Sequence, residues 1–167
     1  GKPQGIFTPM IGQNDGQHTE KNWVFWSHKD SIMCLYRSSP TQQVYDRVKL
    51  MESEGPRWPY GQIRGGCVVP WDGKLLRFFH SPLDNEWTSK QIRRYFVGCA
   101  LMEPDPPFKT IRVSCKPILY GSEICRLKVK ERPFHWKSNV VFPGGAVVRG
   151  DHIVLAVGIG PGRENDG

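Results

Sequence analysis

Two basic residues, Lys21 and Arg64, stand at equivalent places in the chain, each just before an apolar strand pattern that leads into a tight turn. A lysine ammonium is a compact point charge, whereas an arginine guanidinium is a planar fork of N–H donors. The pair therefore suits the oxygens of an anion such as phosphate, or the hydroxyls of a sugar. The alternative is that both are solvated surface charges, since these residue types are mostly exposed.

Three further residues could bind a polar ligand beside these cations. Asn139 begins an apolar strand pattern, His80 closes another, and Trp23 follows Lys21 by two positions. An amide or an imidazole can hydrogen-bond a hydroxyl, and a flat aromatic face can carry the C–H surface of a sugar ring. His80 and Trp23 each have a structural alternative, as a hydrogen-bonded histidine at a strand end and as a core tryptophan.

The sequence lacks the common signatures of metal and cofactor sites. It has no cysteine and histidine spacing typical of zinc, no phosphate-cradling glycine-rich loop and no nucleophile motif. We therefore expect no metal site and no cofactor. The five cysteines are an odd number without a Cys-x-x-Cys pair, and we expect them to be reduced, mostly as small core residues: Cys34, Cys67, Cys99, Cys115 and Cys125.

Three hairpin patterns must position these residues, and they follow one template: an apolar strand, a tight polar turn and a second apolar strand. The aligned positions Ile32, Leu75 and Ile153 are separated by 43 and 78 residues. The first interval is the length of a four-stranded propeller blade. Because no stretch shows a helical period for more than a turn or two, we expect an all-β protein.

Further strand patterns extend the first two hairpins. Alternation over residues 42–48 predicts a third strand, followed by a loop over 52–59 whose glycine and prolines oppose a ladder. After a polar connection that begins near Pro82, residues 94–103 and 109–114 predict two more strands. The chain thus divides into an extended arm over 1–19 and one propeller-like domain over 20–167, with blades at about 20–58, 62–120 and 138–160.

Composition is that of one ordinary globular domain of 167 residues, 38% hydrophobic and 23% charged. The formal net charge is +7, but the basic residues are scattered, so we expect no nucleic-acid partner. No apolar run is long enough to span a bilayer, and the first residues do not have the charged-then-apolar pattern typical of a signal segment. We expect a soluble, cytoplasmic protein with no membrane partner.

Several stretches together resemble the later blades of glycoside hydrolase family 130, the five-bladed propellers of mannoside phosphorylases and related glycosidase-like proteins. The resemblance covers about residues 20–158 in the right order, and its weight comes from the series, since no single motif is specific. The stretches are Glu20–Trp23, Arg64–Gly66, Phe78–His80, Tyr95–Leu101, Lys116–Leu119 and Val141–Gly145. The resemblance implies a central funnel that binds a glycoside, and a phosphate contact for Lys21 in the phosphorylases.

The chain departs from that family in two ways. The Arg-x-Glu-Asp-Pro-Arg stretch of the earlier blades, with its catalytic aspartate, has no counterpart here, and the third blade is short. About two and a half four-stranded blades of a five-bladed ring cannot close, and closure is how a propeller hides its sheet edges. We therefore expect either homo-oligomerisation or further propeller blades from a larger protein.

The carboxylates of the sequence include no convincing catalytic pair. Glycoside hydrolysis uses two facing carboxyl groups, whereas a phosphorylase needs only the acid because phosphate replaces the second. Glu20 is a weak candidate, and Asp72 and Asp151 are explained by their tight turns. Two functions stay open: a glycoside phosphorylase or glycosidase, active when missing blades are supplied, and a non-catalytic sugar-binding or assembly module. In either case the expected ligand is a glycan or sugar phosphate. For a phosphorylase, inorganic phosphate is expected as a second ligand.

Overall fold

The computed structural model describes residues 22–47, 49–84, 93–121 and 140–160. They form eleven β-strands in three antiparallel sheets, and within these segments no helix is long and apolar enough to cross a bilayer. The predicted all-β class is confirmed. The predicted arm over 1–19 and three candidate residues, Glu20, Lys21 and Asn139, lie outside the described residues.

Sheet A is a four-stranded meander of neighbouring strands: β1 (Val24–His28), β2 (Ser31–Arg37), β3 (Thr41–Asp46) and β4 (Lys49–Glu54). Its side chains alternate between buried and exposed along β1, as expected for a strand whose two faces differ. The sequence prediction of a loop over 52–59 was wrong at its start, because β4 pairs with β3 up to Glu54. The break comes at the glycine and proline that follow.

Sheet B is built from β5 (Arg64–Trp71), β6 (Lys74–Asp84), β7 (Arg93–Met102) and β8 (Thr110–Val113), with the short β9 (Leu119–Tyr120) also paired to β7. Strand β6 continues through Pro82, where the sequence predicted a polar connection, and pairs with β7 along its whole length. Sheet C is the hairpin of β10 (Val140–Arg149) and β11 (His152–Gly160). The third predicted hairpin is therefore confirmed over the described residues 140–160.

The three sheets pack face to face, and the first strand of each meets its counterpart in the next. Strand β5 contacts β1 on one side and β10 on the other. Between sheets A and B the shared core is apolar and made of buried side chains from both, including Trp26, Leu35, Leu75, Met102 and Phe108. Strand β5 thus links the first strands of the other two sheets.

One fully buried polar side chain, Gln42, ties sheet A to sheet B within this core. Its Nε2 donates a hydrogen bond of 2.6 Å to the Phe108 carbonyl oxygen, and its Oε1 accepts one of 3.0 Å from the Thr110 hydroxyl. Buried amides are costly unless they are paired in this way. Gln42 thus fixes the relative position of the two sheets, and with it the alignment of β1 with β5.

Candidate functional site

Two consecutive glycines shape the start of β5. Gly65 and Gly66 have φ angles of +47° and +101°, and the register shifts between Arg64, opposite His80, and Cys67, opposite Phe78. A side chain at Gly66 would overlap the Phe78 carbonyl oxygen, so only glycine fits. This bulge bends the strand beside Arg64 and brings the backbone close to its neighbours.

The bulge brings side chains from different strands to one point, which we call the open-end cluster: Asn22, Arg64, His80 and Tyr95. A Cβ at Gly65 would lie 3.2 Å from Cε1 of His80 and 3.4 Å from Oδ1 of Asn22. The His80 ring stacks on Tyr95, with centroids 6.2 Å apart, and meets Phe142 of sheet C edge-on at 6.5 Å. Residues preceding β1 and on β5, β6 and β7 therefore share one site.

Arg64 lies directly beside His80, since the two are register partners in adjacent strands. Among the described residues, its guanidinium donates hydrogen bonds to the neutral amide of Gln62, from Nη2 to Oε1 at 2.8 Å and from Nε to the same oxygen at 3.3 Å. Of the described residues, no carboxylate forms an ion pair with Arg64. The charge of this partly exposed side chain is left for a ligand or for water.

A second arginine, Arg77, lies beneath the cluster and is only 1% exposed. Its Nη2 donates to the Ser38 hydroxyl at 2.8 Å and to the Gly65 carbonyl oxygen at 3.3 Å, and its guanidinium carbon is 5.7 Å from the centre of the Phe79 ring. Burial lowers the pKa of Arg77 to about 9. Its Nε and Nη1 have no hydrogen-bond partner among the described residues, which is unusual for a buried guanidinium.

Arg77 and Asn22 were missed by the sequence analysis. The sequence nevertheless contains an indication for each of them. Arg77 occurs between Leu75 and Phe79 at alternate positions of one strand, which places all three side chains on the same face, here the buried face toward sheet A. Asn22 has φ +70°, a conformation that asparagine tolerates better than most residues, so its place before the strand indicated a turn.

The structure sets Trp23 apart from the other predicted site residues. Its half-buried ring contacts Phe25 at 6.4 Å and Tyr36 at 6.1 Å, both on sheet A. Tyr36 in turn meets Tyr45 edge-on at 5.9 Å, so these rings form an aromatic strip across several strands. Arg64 and His80 are thus brought together, whereas Trp23 belongs to a separate aromatic surface next to Asn22.

No family model, no curated protein and no solved structure matches the chain. The site must accordingly be interpreted from its own chemistry. Among the described residues, no group of three or more histidine, cysteine, aspartate or glutamate side chains could hold a metal ion. What the open-end cluster offers is a partly exposed guanidinium, an imidazole, an amide and an aromatic ring, a set typical of binding to oxyanions or hydroxyls.

The described carboxylates lie mostly at the other end of the sheets. Asp30, Asp72 and Asp151 are in or beside the three hairpin turns, and Glu103 and Asp105 follow β7, whose last residue pairs with Leu75 beside a turn. Strand β5 is eight residues long, so this turn end is about 25 Å from the cluster at 3.3 Å per residue. Glu54, on the edge strand β4, is paired with Arg57 at 3.6 Å.

A groove among the described residues lies elsewhere as well. It is a shallow, open cavity of about 360 Å³ between the edge strands β4 and β8, lined by residues 54–57 and 110–113. Two arginines, Arg57 and Arg112, line it beside Glu54. It shares no lining residue with the open-end cluster. We favour the cluster on chemical grounds, because it combines a guanidinium, an imidazole and an amide at one point, whereas Arg57 in the groove already has an acidic partner.

Proposed function

We propose that this chain is a carbohydrate-directed, propeller-like protein that binds a glycan or a sugar phosphate at the open-end cluster. The observation that carries the proposal is the convergence of Asn22, Arg64 and His80 at the Gly65 bulge, above a buried arginine that no described carboxylate neutralises. An oxyanion at this point would meet the Arg64 fork and the His80 ring, and hydroxyls of an attached sugar would meet the Asn22 amide.

The contacts of β5 with both β1 and β10 support a propeller-like arrangement, in which the first strand of each blade faces a central axis. The beginnings of such strands would surround one opening. In this arrangement Lys21 and Asn139, each one residue before the described part of its hairpin, are further candidates for ligand contacts. Inorganic phosphate is the smallest ligand that the cluster suits.

Binding without turnover is the form of this function that the described residues favour. General acid catalysis needs a carboxyl group within hydrogen-bond reach of the leaving oxygen. The turn-end carboxylates are too far away, and Glu54 is three strands from β1. A phosphorylase or glycosidase activity would therefore depend on a carboxyl group other than these, such as Glu20 or one from another chain.

Calorimetric titration with mannose 1-phosphate and with inorganic phosphate tests the proposal. We expect saturable binding, weakened at least tenfold in Arg64→Ala and His80→Ala because each removes one direct contact. Arg112→Ala, in the edge groove, is the matched control and should bind as the parent does. Equal affinity in the parent, Arg64→Ala and His80→Ala would refute the site.

Activity is measured separately, by incubating the parent with β-mannosides with and without phosphate. We expect no turnover. Activity in the parent that disappears in Glu20→Gln would instead make Glu20 the acid and the chain an enzyme.

A further inference from the structure

The outer face of sheet A, which points away from sheet B, carries large apolar side chains. Val24, Leu35 and Val44 are in register across three strands and point into the core with sheet B. Side chains one position along each strand must point the other way. Among them Ile32 is 54% exposed and Leu50, in register with Tyr45, is 41% exposed.

The outer face of sheet C has the same character. Val141 is fully buried, so the face of the hairpin that carries it is covered, and after the bulge at Gly144 the alternate positions point to the other, outer face. Val147 and Val154 are register partners on this outer face and are 46% and 54% exposed. Two directly paired valines, half exposed on one face of a hairpin, are typical of a surface that packs against another sheet.

Inside the chain, sheets pack by joining opposite faces. Sheet B meets sheet A through Leu75 and Met102, which are register partners. It meets sheet C through its other face, where Phe78 and Val97 are buried at the intervening positions and where β10 contacts both β6 and β7. The stack A, B, C therefore ends in two unlike faces, each equivalent to one that is packed within the chain.

We propose that two copies of this chain associate head to tail, with the outer face of sheet A of each copy packed on the outer face of sheet C of the other. The contact repeats between chains the opposite-face packing that the chain makes twice within itself. Two copies would place six sheets in one closed ring, within the range of four to eight blades over which propellers close.

The area of the two faces favours this closed pair over a single contact. A four-stranded sheet five residues long presents roughly 300 Å² per face, and a two-stranded hairpin of nine residues presents about the same. One contact would bury about 600 Å² in total, which is the size of a weak contact. A head-to-tail pair makes the contact twice and reaches about 1,200 Å², the lower bound for stable interfaces.

The experiment is light scattering on the full chain and on three lysine variants. Ile32→Lys disrupts the sheet A face, Val154→Lys disrupts the sheet C face, and Ile118→Lys, at a 43% exposed isoleucine between β8 and β9, is the matched control. We expect the parent and Ile118→Lys to show twice the chain mass, and both face variants to show the chain mass. Far-UV circular dichroism and melting of each variant verify that it is folded.

Mixing the two face variants shows whether the contact joins unlike faces or like faces. An equal mixture of Ile32→Lys and Val154→Lys keeps one intact contact, so we expect pairs to reappear at about 100 µM, more weakly than in the parent. If one face packed against the same face of the second chain, the variant that keeps this face would stay paired by itself. Mixing the two variants would then produce no additional pairs. A monomeric parent would overturn the proposal, whether other residues of this chain or a different protein cover the faces.

Discussion

The two ends of the hairpins differ in how their charges are balanced. At the turn end, Lys74 Nζ is 3.0 Å from a Glu103 carboxylate oxygen, and Lys29 and His28 share Asp105 at 3.7 and 3.8 Å. At the open end, the described partners of Arg64 and Arg77 are an amide, a hydroxyl and a backbone carbonyl. The turn end is thus an ordinary surface of paired charges, whereas the open end keeps positive charge for a partner.

The backbone differs in the same sense. The open end carries adjacent glycines, one of which has no room for a side chain, while Gly73 in a hairpin turn has open space around its Cα. Crowded left-handed backbone that only glycine can adopt is costly and is concentrated at functional sites. Charge and backbone therefore distinguish the same end of the molecule.

The largest effect is expected from alanine at the crowded glycine. Gly66→Ala should lower the free energy of unfolding by about 3 kcal/mol or more, because it adds a clash with the Phe78 carbonyl to an unfavourable φ. Gly73→Ala, with φ +66° and nothing within 4 Å, should cost only about 1 kcal/mol. Urea unfolding of both variants measures the contrast. Similar losses would mean that the bulge is not tighter than an ordinary turn.

Substitutions of Arg77 separate its volume from its charge. Arg77→Ala should cost about 3 kcal/mol because it leaves a cavity in a packed interior. Arg77→Met should cost about 1 kcal/mol or less, because the two lost hydrogen bonds are offset by removing a desolvated, incompletely paired cation. Denaturant unfolding of the two variants measures these losses in stability. A methionine variant as unstable as the alanine variant would show that the fold depends on the guanidinium itself.

The pH dependence of the stability difference between the parent and Arg77→Met sharpens this test. Burial lowers the folded pKa of Arg77 to about 9, well below the ordinary value of an arginine, so above pH 9 the unfolded chain binds a proton that the folded chain does not. Stability from this group must then rise with pH, by up to about 1.4 kcal/mol per pH unit. We expect the stability of the parent relative to Arg77→Met to increase between pH 8 and pH 10. An unchanged difference would mean that Arg77 keeps its proton throughout.

The smallest effect is expected at the turn end. Glu103→Gln removes the partner of Lys74, yet both side chains are about two-fifths exposed, so the loss should be below about 1 kcal/mol and should vanish in 1 M salt. Unfolding at low and high salt measures it. A loss larger than that of Arg77→Met would reverse the contrast between the two ends.

Much of the fold follows from local patterns. Alternation and turn residues predicted the three hairpins, and the residues at Ile32, Leu75 and Ile153 do begin or continue the second strand of each. The two errors came from prolines and polar residues: Pro82 lies within β6, and Glu52 to Glu54 complete β4. Proline is tolerated there because the register of β5 with β6 ends at Arg64 opposite His80, so Pro82 is paired with β7 on one side only, as at a sheet edge.

Such local patterns predicted less of the candidate site. Arg64 and His80 were predicted separately, and their pairing depends on the register of β5 with β6, which the glycine bulge shifts. The burial of Arg77 depends on sheet A covering sheet B, a contact between residues far apart in sequence. Periodicity gives the face on which a side chain lies, but it does not say which face will be covered.

The most direct test of the open-end cluster as an anion site is to locate a bound anion. Crystals soaked in selenate, an analogue of sulfate with a strong anomalous signal, would give its position. We predict a peak between the Arg64 guanidinium and the His80 ring, lost in crystals of Arg64→Ala. A peak in the edge groove at Arg57 and Arg112, with none at the cluster, would contradict the account.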